Sequence, residues 1–246
     1  MSGQILFWDV DTQVDFMAPD GLLPVPGADA LRPNLARLTA GAREAGLTIV
    51  HTADDHELSD PEIAPTGADF VDTFPPHCLR HSAGAERVPE TAAAAGAVEI
   101  AWDGAGYDEA TVAAAAEVVL HKKRFDAFSN PAAARLLETL DPARVVVYGV
   151  ALDVCNRYAV EGMLALGPGF EIVVVTDAVA AIDKARGDEL LAEWTRRGVQ
   201  VATTDEVLAE VRGRQGGRGR GVPRRTWGCP ARDAPSPDRP GRPGRP

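Results

Sequence analysis

The chain has 246 residues, 45% hydrophobic and 25% charged, a composition suited to one globular α/β domain or two small ones. Its net charge of −11 conceals a split: from Arg212 to Pro246 ten Arg stand against two Asp, so the body before them is strongly acidic and would repel phosphate backbones, which argues against nucleic acid as its main partner. The longest apolar run, Val145 to Leu152, is far short of a membrane span; the start MSGQILFWDVDTQ lacks the form of a secretory signal; three scattered cysteines (Cys78, Cys155, Cys229) argue against a disulfide framework and for a reducing cytoplasm.

Strands and helices are expected to alternate along the body. Ile5 to Asp9 reads as a buried strand, Ala28 to Ala45 as a helix with Leu31, Leu35 and Leu38 on one face, and Leu47 to His51 as a second strand after the stop at Gly46. From Ala53 to about Glu90 the pattern is irregular and rich in Pro, Asp and His, the kind of long loop that serves function. Ala97 to Ala101 and Glu117 to His121 read as strands, Pro131 to Leu140 as a helix with proline in its first turn, Val145 to Val150 as a strand and Val154 to Leu166 as the helix after it. Ile172 to Thr176, a helix from Asp188 to Arg197, the strand Val199 to Thr203 and a short helix to Val211 complete the series. This order predicts a three-layer α/β/α domain over residues 1–211 with a mostly parallel central sheet. Residues 212–246, dense in Gly, Pro and Arg, read as a disordered tail, a solvated extension in preference to an RGG-like nucleic-acid contact.

In such sheets ligands bind beyond the carboxyl ends of the strands. Asp9 and Asp11 end the first strand, Lys122, Lys123 and Arg124 follow another, and Cys155 opens a helix after a third. At a helix start the positive dipole end is expected to lower a thiol's pKa from about 8.5. An acid, a lysine and a cysteine at one sheet edge suit a cysteine hydrolase: the acid takes the thiol proton, the lysine stabilises the ion pair, and the backbone N–H groups of Ala151 and Cys155 face a developing oxyanion. In the long loop, Asp54, His56 and His77 form a donor set for zinc or another first-row divalent metal. His51, His81 and His121 read as structural, and Cys78 as packing.

Four ordered blocks between Ile5 and Asp177, namely FWDVDTQVDF, TADDHELSD with FPPHCLRHSAGAE, HKKRFDAF, and GVALDVCNRYAVEG with VVVTDA, resemble the isochorismatase-like cysteine hydrolases, nicotinamidases in particular. The resemblance implies catalytic roles for Asp11 (in place of Asp9), Lys122 (in place of Lys123) and Cys155, a cis peptide bond between Val150 and Ala151, and metal ligation by Asp54, His56 and His77. It implies a divalent metal (Zn, with Fe or Mn as alternatives) that holds a pyridine nitrogen, with Phe16 and Phe74 as walls of the substrate pocket. The implied activity is hydrolysis of nicotinamide or a similar small amide to acid and ammonia. The rivals are the same chemistry on a ureido or carbamoyl compound, and a catalytically dead binding protein. Relatives commonly form dimers or tetramers, so a homo-oligomer is also implied. Asp55 stands where nicotinamidases often carry Trp, and Asp126 where they carry Ser.

Overall fold

Successive side chains of a strand point to opposite faces, and the first strand of this chain is apolar on both. In the computed structural model, which describes residues 4–70 and 72–216, strand β1 (Gln4–Val10) sends Leu6, Trp8 and Val10 into one core and Ile5 and Phe7 into another. Such two-sided burial belongs to the interior of a parallel sheet. Around β1 stand β2 (Ile49–Asp54), β3 (Val98–Ile100), β4 (Glu117–Lys122), β5 (Pro142–Val150), β6 (Glu171–Ala180) and β7 (Gln200–Ala202), in the order β3-β4-β2-β1-β5-β6-β7. Every pairing is parallel.

The first core is covered by α3 (Glu109–Ala114), α4 (Ala133–Leu140), α5 (Cys155–Ala165) and α6 (Lys184–Arg196), which contribute Val112, Leu136, Met163 and Trp194 among others. The second is covered by α2 (Arg32–Glu44) and α7 (Thr204–Gly216) through Leu35, Leu38, Val207 and Val211. Full burial of each large apolar side chain contributes about 1.5–3 kcal/mol, and Trp8, Trp194 and Phe7 are wholly enclosed. The expected three-layer architecture is therefore present.

Several boundaries differ from expectation. The helix expected from Ala28 begins as a 3-10 turn (Ala28–Leu31), and α2 starts only at Arg32, where Pro33 sits in its first turn. β6 runs on through Thr176 and Asp177 to Ala180. α6 starts four residues before Asp188, because the Asp183 carboxylate accepts the N–H groups of Ala185 and Arg186. A four-residue helix, α1 (Val14–Met17), had no sequence signal. α7 continues through Gly216, past the expected boundary at Val211, and the rest of the expected tail, 217–246, lies outside the described residues. Among the described residues no helix is long and apolar enough to cross a membrane.

Two features hold the sheet beneath the site. Gly149, at φ 105°, lies where β5 slips its register on β6, and a Cβ there would stand 2.1 Å from the Val10 carbonyl oxygen. Only glycine lets β1 and β5 approach so closely. The second is a buried polar network: the Asp9 carboxylate accepts hydrogen bonds from His51 Nδ1 (2.8 Å), Thr12 and Arg87, and Glu117 accepts from His51 Nε2 (3.1 Å), Arg43 Nε (2.7 Å) and the Ala94 N–H (2.8 Å). Through Arg87 and Ala94 it ties the loop before β3 to the sheet.

Burial acts to raise the pKa of Asp9, but Arg87 and His51 outweigh it and hold it low; for Glu117, His51 and Arg43 likewise outweigh burial. Folded-state pKa values below the unfolded ones, which lie near 4, mean stability that is present above pH 4 and lost as pH falls through the folded values. Thermal melts from pH 7 to pH 2 are expected to show a Tm that drops chiefly below about pH 4, and Glu117→Gln should flatten that drop. An unchanged slope in the variant would remove Glu117 from the account.

Candidate active site

Four neighbouring strands, β4, β2, β1 and β5, deliver the site at their carboxyl ends. Asp54 and Lys122 are register partners on β2 and β4, so their side chains leave the sheet on the same face. Asp11 stands one residue beyond β1 with φ 48°, its N–H donating to the Thr52 carbonyl (3.3 Å) and its Oδ1 accepting from the Thr52 hydroxyl (2.6 Å). Past β5 the Val150–Ala151 peptide bond is cis, as the resemblance implies, and a turn leads into α5, whose first residue is Cys155. The Ala151 carbonyl accepts from the N–H groups of Val154 (3.1 Å) and Asn156 (3.0 Å), which closes that turn.

Lys122 Nζ joins the groups. It lies 2.9 Å from Asp11 Oδ2, pairs with Asp54 Oδ1 and stands 3.9 Å from Cys155 Sγ, with all four residues buried. Burial works against the ammonium, but Asp11 and Asp54 outweigh it and push the Lys122 pKa well up, so the lysine is charged. Burial also raises the pKa of Asp11, Lys122 pulls it down, and the charge of Asp54 adds to the rise. Burial pushes the Cys155 thiol well above its ordinary range; Lys122 opposes this, and Asp11 and Asp54 reinforce it. The expectation that the helix start lowers this pKa is thus corrected. Desolvation and the two nearby carboxylates raise the thiol's pKa against the pull of Lys122.

Asp9 and Lys123, the neighbours of Asp11 and Lys122, are engaged elsewhere: Asp9 in the network under the sheet, Lys123 with the Asp60 carboxylate at 2.8 and 2.9 Å. His51 belongs to that same network, His121 pairs with Glu99 (2.6 Å), and His81 is exposed.

The long loop folds back on itself through short bridges between His56 and Leu79 and between Ile63 and Phe74. This pairing brings together His56 and His77, far apart in sequence. Asp54 Oδ2 lies 3.7 Å from both His56 Nε2 and His77 Nε2; among the described residues none of these three atoms has a hydrogen-bond partner, and one ligand atom from each residue falls within 4.8 Å of the others. His77 Nδ1 faces the Pro75 carbonyl at 2.8 Å, which assigns its proton to that nitrogen and leaves the Nε2 lone pair open. Buried, unpartnered and convergent, this donor set fits a divalent metal. Asp55, beside it, is held by Arg80 (2.7 Å from Nε) and points to a separate ion pair.

A small cavity, open to solvent on one side, is lined by Cys155, Ala151 and His77 together with Phe16, Phe74 and Phe125. Phe16 and Phe74 flank the His77 ring at centroid distances of 5.3 and 6.4 Å. Four contributors lacked an assigned role in the sequence reading. Gln13 exchanges hydrogen bonds with both backbone groups of Asp54 (2.7 and 2.8 Å) and so holds the backbone that carries this carboxylate. Asp15 accepts the N–H of Cys78 (2.7 Å) and of Leu22 (3.0 Å), anchoring the residue after His77. Glu62 is buried with an unpartnered Oε2, and burial, then the Asp54 charge, raises its pKa. Phe125 packs on Phe74 at 4.9 Å. The register of Gln13 and Asp15 in FWDVDTQVDF was visible; for Glu62 and Phe125 only the fold supplies the signal.

With this geometry, the isochorismatase domain model matches residues 6–206. The chain belongs to the isochorismatase family. A protein of Arabidopsis thaliana named "Probable inactive nicotinamidase" is 25% identical over 202 residues, covering 82% of this chain and 93% of its own length. An isochorismatase family protein from Desulfovibrio vulgaris subsp. vulgaris str. Hildenborough superposes with a TM-score of 0.66 at 25% identity, covering 84% of this chain and 99% of that one. The pyrazinamidase of Pyrococcus horikoshii, solved in complex with zinc, gives 0.63 at 26% identity, covering 81% and 99%.

Proposed function

We propose that this isochorismatase-family chain is a metal-dependent amidohydrolase of the nicotinamidase type, converting nicotinamide or a similar small planar amide to the acid and ammonia. The observation that carries the reading is the meeting, beside one aromatic-walled cavity, of the Asp11–Lys122–Cys155 set with the unpartnered Asp54–His56–His77 set. The zinc-bound pyrazinamidase relative supports it, and a cytoplasmic setting belongs to it, in keeping with the free thiols of Cys78 and Cys155.

In this mechanism Asp11 accepts the Cys155 thiol proton and the sulfur attacks the carboxamide carbon. The backbone N–H groups of Ala151 and Cys155 receive the oxyanion. The tetrahedral adduct collapses with cleavage of the C–N bond, and Asp11 returns its proton to the departing nitrogen, releasing ammonia and leaving a thioester. Asp11 then takes a proton from water, whose oxygen attacks the thioester; the C–S bond breaks and the sulfur regains the proton. Lys122 stays charged between the two carboxylates and stabilises the thiolate as it forms. A zinc, iron or manganese ion held by Asp54, His56 and His77 would supply a Lewis acid that binds and orients the ring nitrogen of a pyridine carboxamide. Phe16 and Phe74 are assigned to the faces of that ring.

The test is ammonia release from nicotinamide, pyrazinamide and carbamoyl or ureido compounds by zinc-supplemented protein. Turnover of the pyridine and pyrazine carboxamides alone is expected; turnover confined to carbamoyl compounds overturns the substrate assignment, and zinc uptake with no turnover at all returns the chain to a binding role. His77→Ala is expected to lower bound zinc from about one equivalent per chain to a small fraction, since two donors seldom hold the ion. Elemental analysis after gel filtration measures this, and full retention of zinc by the variant contradicts the ligand set.

A further inference from the structure

Asp15, the second residue of α1, is 3% exposed, and both oxygens of its carboxylate accept backbone N–H groups. Oδ2 accepts from Cys78 (2.7 Å) and Oδ1 from Leu22 (3.0 Å). Cys78 directly follows the metal-site histidine His77, and Leu22 directly precedes Leu23, which lines the cavity. One side chain thus joins the loop of the metal donors to an apolar wall of the pocket.

The joint reaches both histidines. Cys78 stands in the left-handed region, at φ 44°, which a residue with a side chain keeps only where its surroundings fix it. Its two backbone groups are both engaged: the N–H donates to Asp15, and the carbonyl accepts the N–H of His56 (3.2 Å). On the wall side, the Asp15 carbonyl accepts the N–H of Leu23 (3.1 Å) and the Phe16 carbonyl that of Val25 (2.9 Å). Phe16, Leu23 and Val25, all in the lining, therefore hang on the helix that carries Asp15. The fit around the carboxylate is close. Asp15 N–H donates to the Gly84 carbonyl (3.0 Å), and a Cβ added at Gly84 would stand 2.2 Å from Oδ2. Asparagine, nearly the same shape, cannot do the same work: its amide offers one accepting oxygen, and its NH2 would face an N–H.

We propose that Asp15 is a positioning residue, which sets the metal-donor loop and the apolar wall in one frame so that metal and substrate ring are held in register. This rests on the metal-dependent amidase reading of the same site. Asp15 acts through the backbone of Cys78 and Leu22, since it belongs neither to the donor set nor to the lining.

The experiment measures the zinc affinity of the full chain by competition with a chromogenic chelator, for wild type, Asp15→Asn and Gly84→Ala. The first variant removes one acceptor; the second displaces the carboxylate and leaves its chemistry intact. Both are expected to bind zinc about 10- to 100-fold more weakly, the loss that follows when the groups behind metal ligands are removed. With nicotinamide, the loss of kcat/KM should appear chiefly in KM, because the frame acts on binding groups. The control is Leu136→Ala, which opens the first core, whereas Phe16 and Cys78 belong to the second. It should lower stability and leave zinc affinity at the wild-type value. Unchanged zinc affinity in either folded variant, an equal loss in Leu136→Ala, or a loss of activity confined to kcat overturns the proposal. Should Asp15→Asn fail to fold, Gly84→Ala decides alone. A wild-type chain that takes up zinc and releases no ammonia overturns the amidase reading only, and the zinc measurement still decides the role of Asp15.

Discussion

Cys155→Ala is expected to abolish ammonia release from nicotinamide, with kcat falling by at least about 10³-fold, while the protein keeps its fold and its zinc. Among the described residues that line the cavity, Cys155 offers a nucleophile beside a carboxylate and a cation: Lys122 Nζ stands 3.9 Å away and the Asp11 charge acts on the thiol. The alanine variant removes little volume from a buried helix start, so circular dichroism and metal content should match wild type. Since Asp54, His56 and His77 lie on other segments, zinc stoichiometry is the control that separates lost chemistry from lost structure. Retention of more than a tenth of wild-type kcat by Cys155→Ala would falsify the thioester mechanism.

The second large effect falls on Lys122, whose ammonium lies between the Asp11 and Asp54 carboxylates in a site with almost no solvent access. Lys122→Met keeps the length of the side chain and deletes the charge. Removing one partner of a buried ion pair costs about 3–5 kcal/mol, because the charge left behind is neither solvated nor matched. Here two carboxylates are left facing each other, so the metal-free variant should lose stability at the upper end of that range, measured by urea denaturation. Activity should vanish as well. Adding Asp11→Asn to Lys122→Met should recover part of the stability and none of the activity. Additive losses in the double variant would place the cost of Lys122→Met outside its pairing with Asp11.

Much of the fold was legible because the buried strands are nearly continuous apolar runs: Ile5 to Asp9, Val145 to Val150 and Ile172 to Thr176 each matched a strand within a few residues. Strand ends were less legible. β6 continues through Thr176 and Asp177, whose polarity reads as a stop, because its outer residues still pair with β5 as far as Ala180. The start of α6 escaped notice since its apolar face begins at Leu190, whereas its cap, Asp183, acts by a local hydrogen bond. In the site, the strand-end rule pointed to Asp9 and Asp11, to Lys122, Lys123 and Arg124, and to Cys155, and spacing offered Asp54, His56 and His77 as a donor set; the choice of Asp11 and Lys122 came from the family resemblance. Glu62 and Phe125 could not. Their positions follow from the bridge of Ile63 to Phe74 and from ring packing across the loop, which no local pattern encodes. The sign of the Cys155 shift was misjudged for a similar reason: the dipole of α5 is a local property, but burial and two carboxylates arrive from other strands.

The pairing of Asp54 with Lys122 across β2 and β4 has a consequence for folding itself. In a parallel sheet the side-chain period is two, so a one-residue slip between these strands would turn one of the two residues to the opposite face. A molecule with that slip could keep most of its secondary structure and still lack the ammonium between its carboxylates. Specific activity per mole of folded chain is therefore a proofreading signal for strand alignment, sensitive to a fault that circular dichroism would pass over.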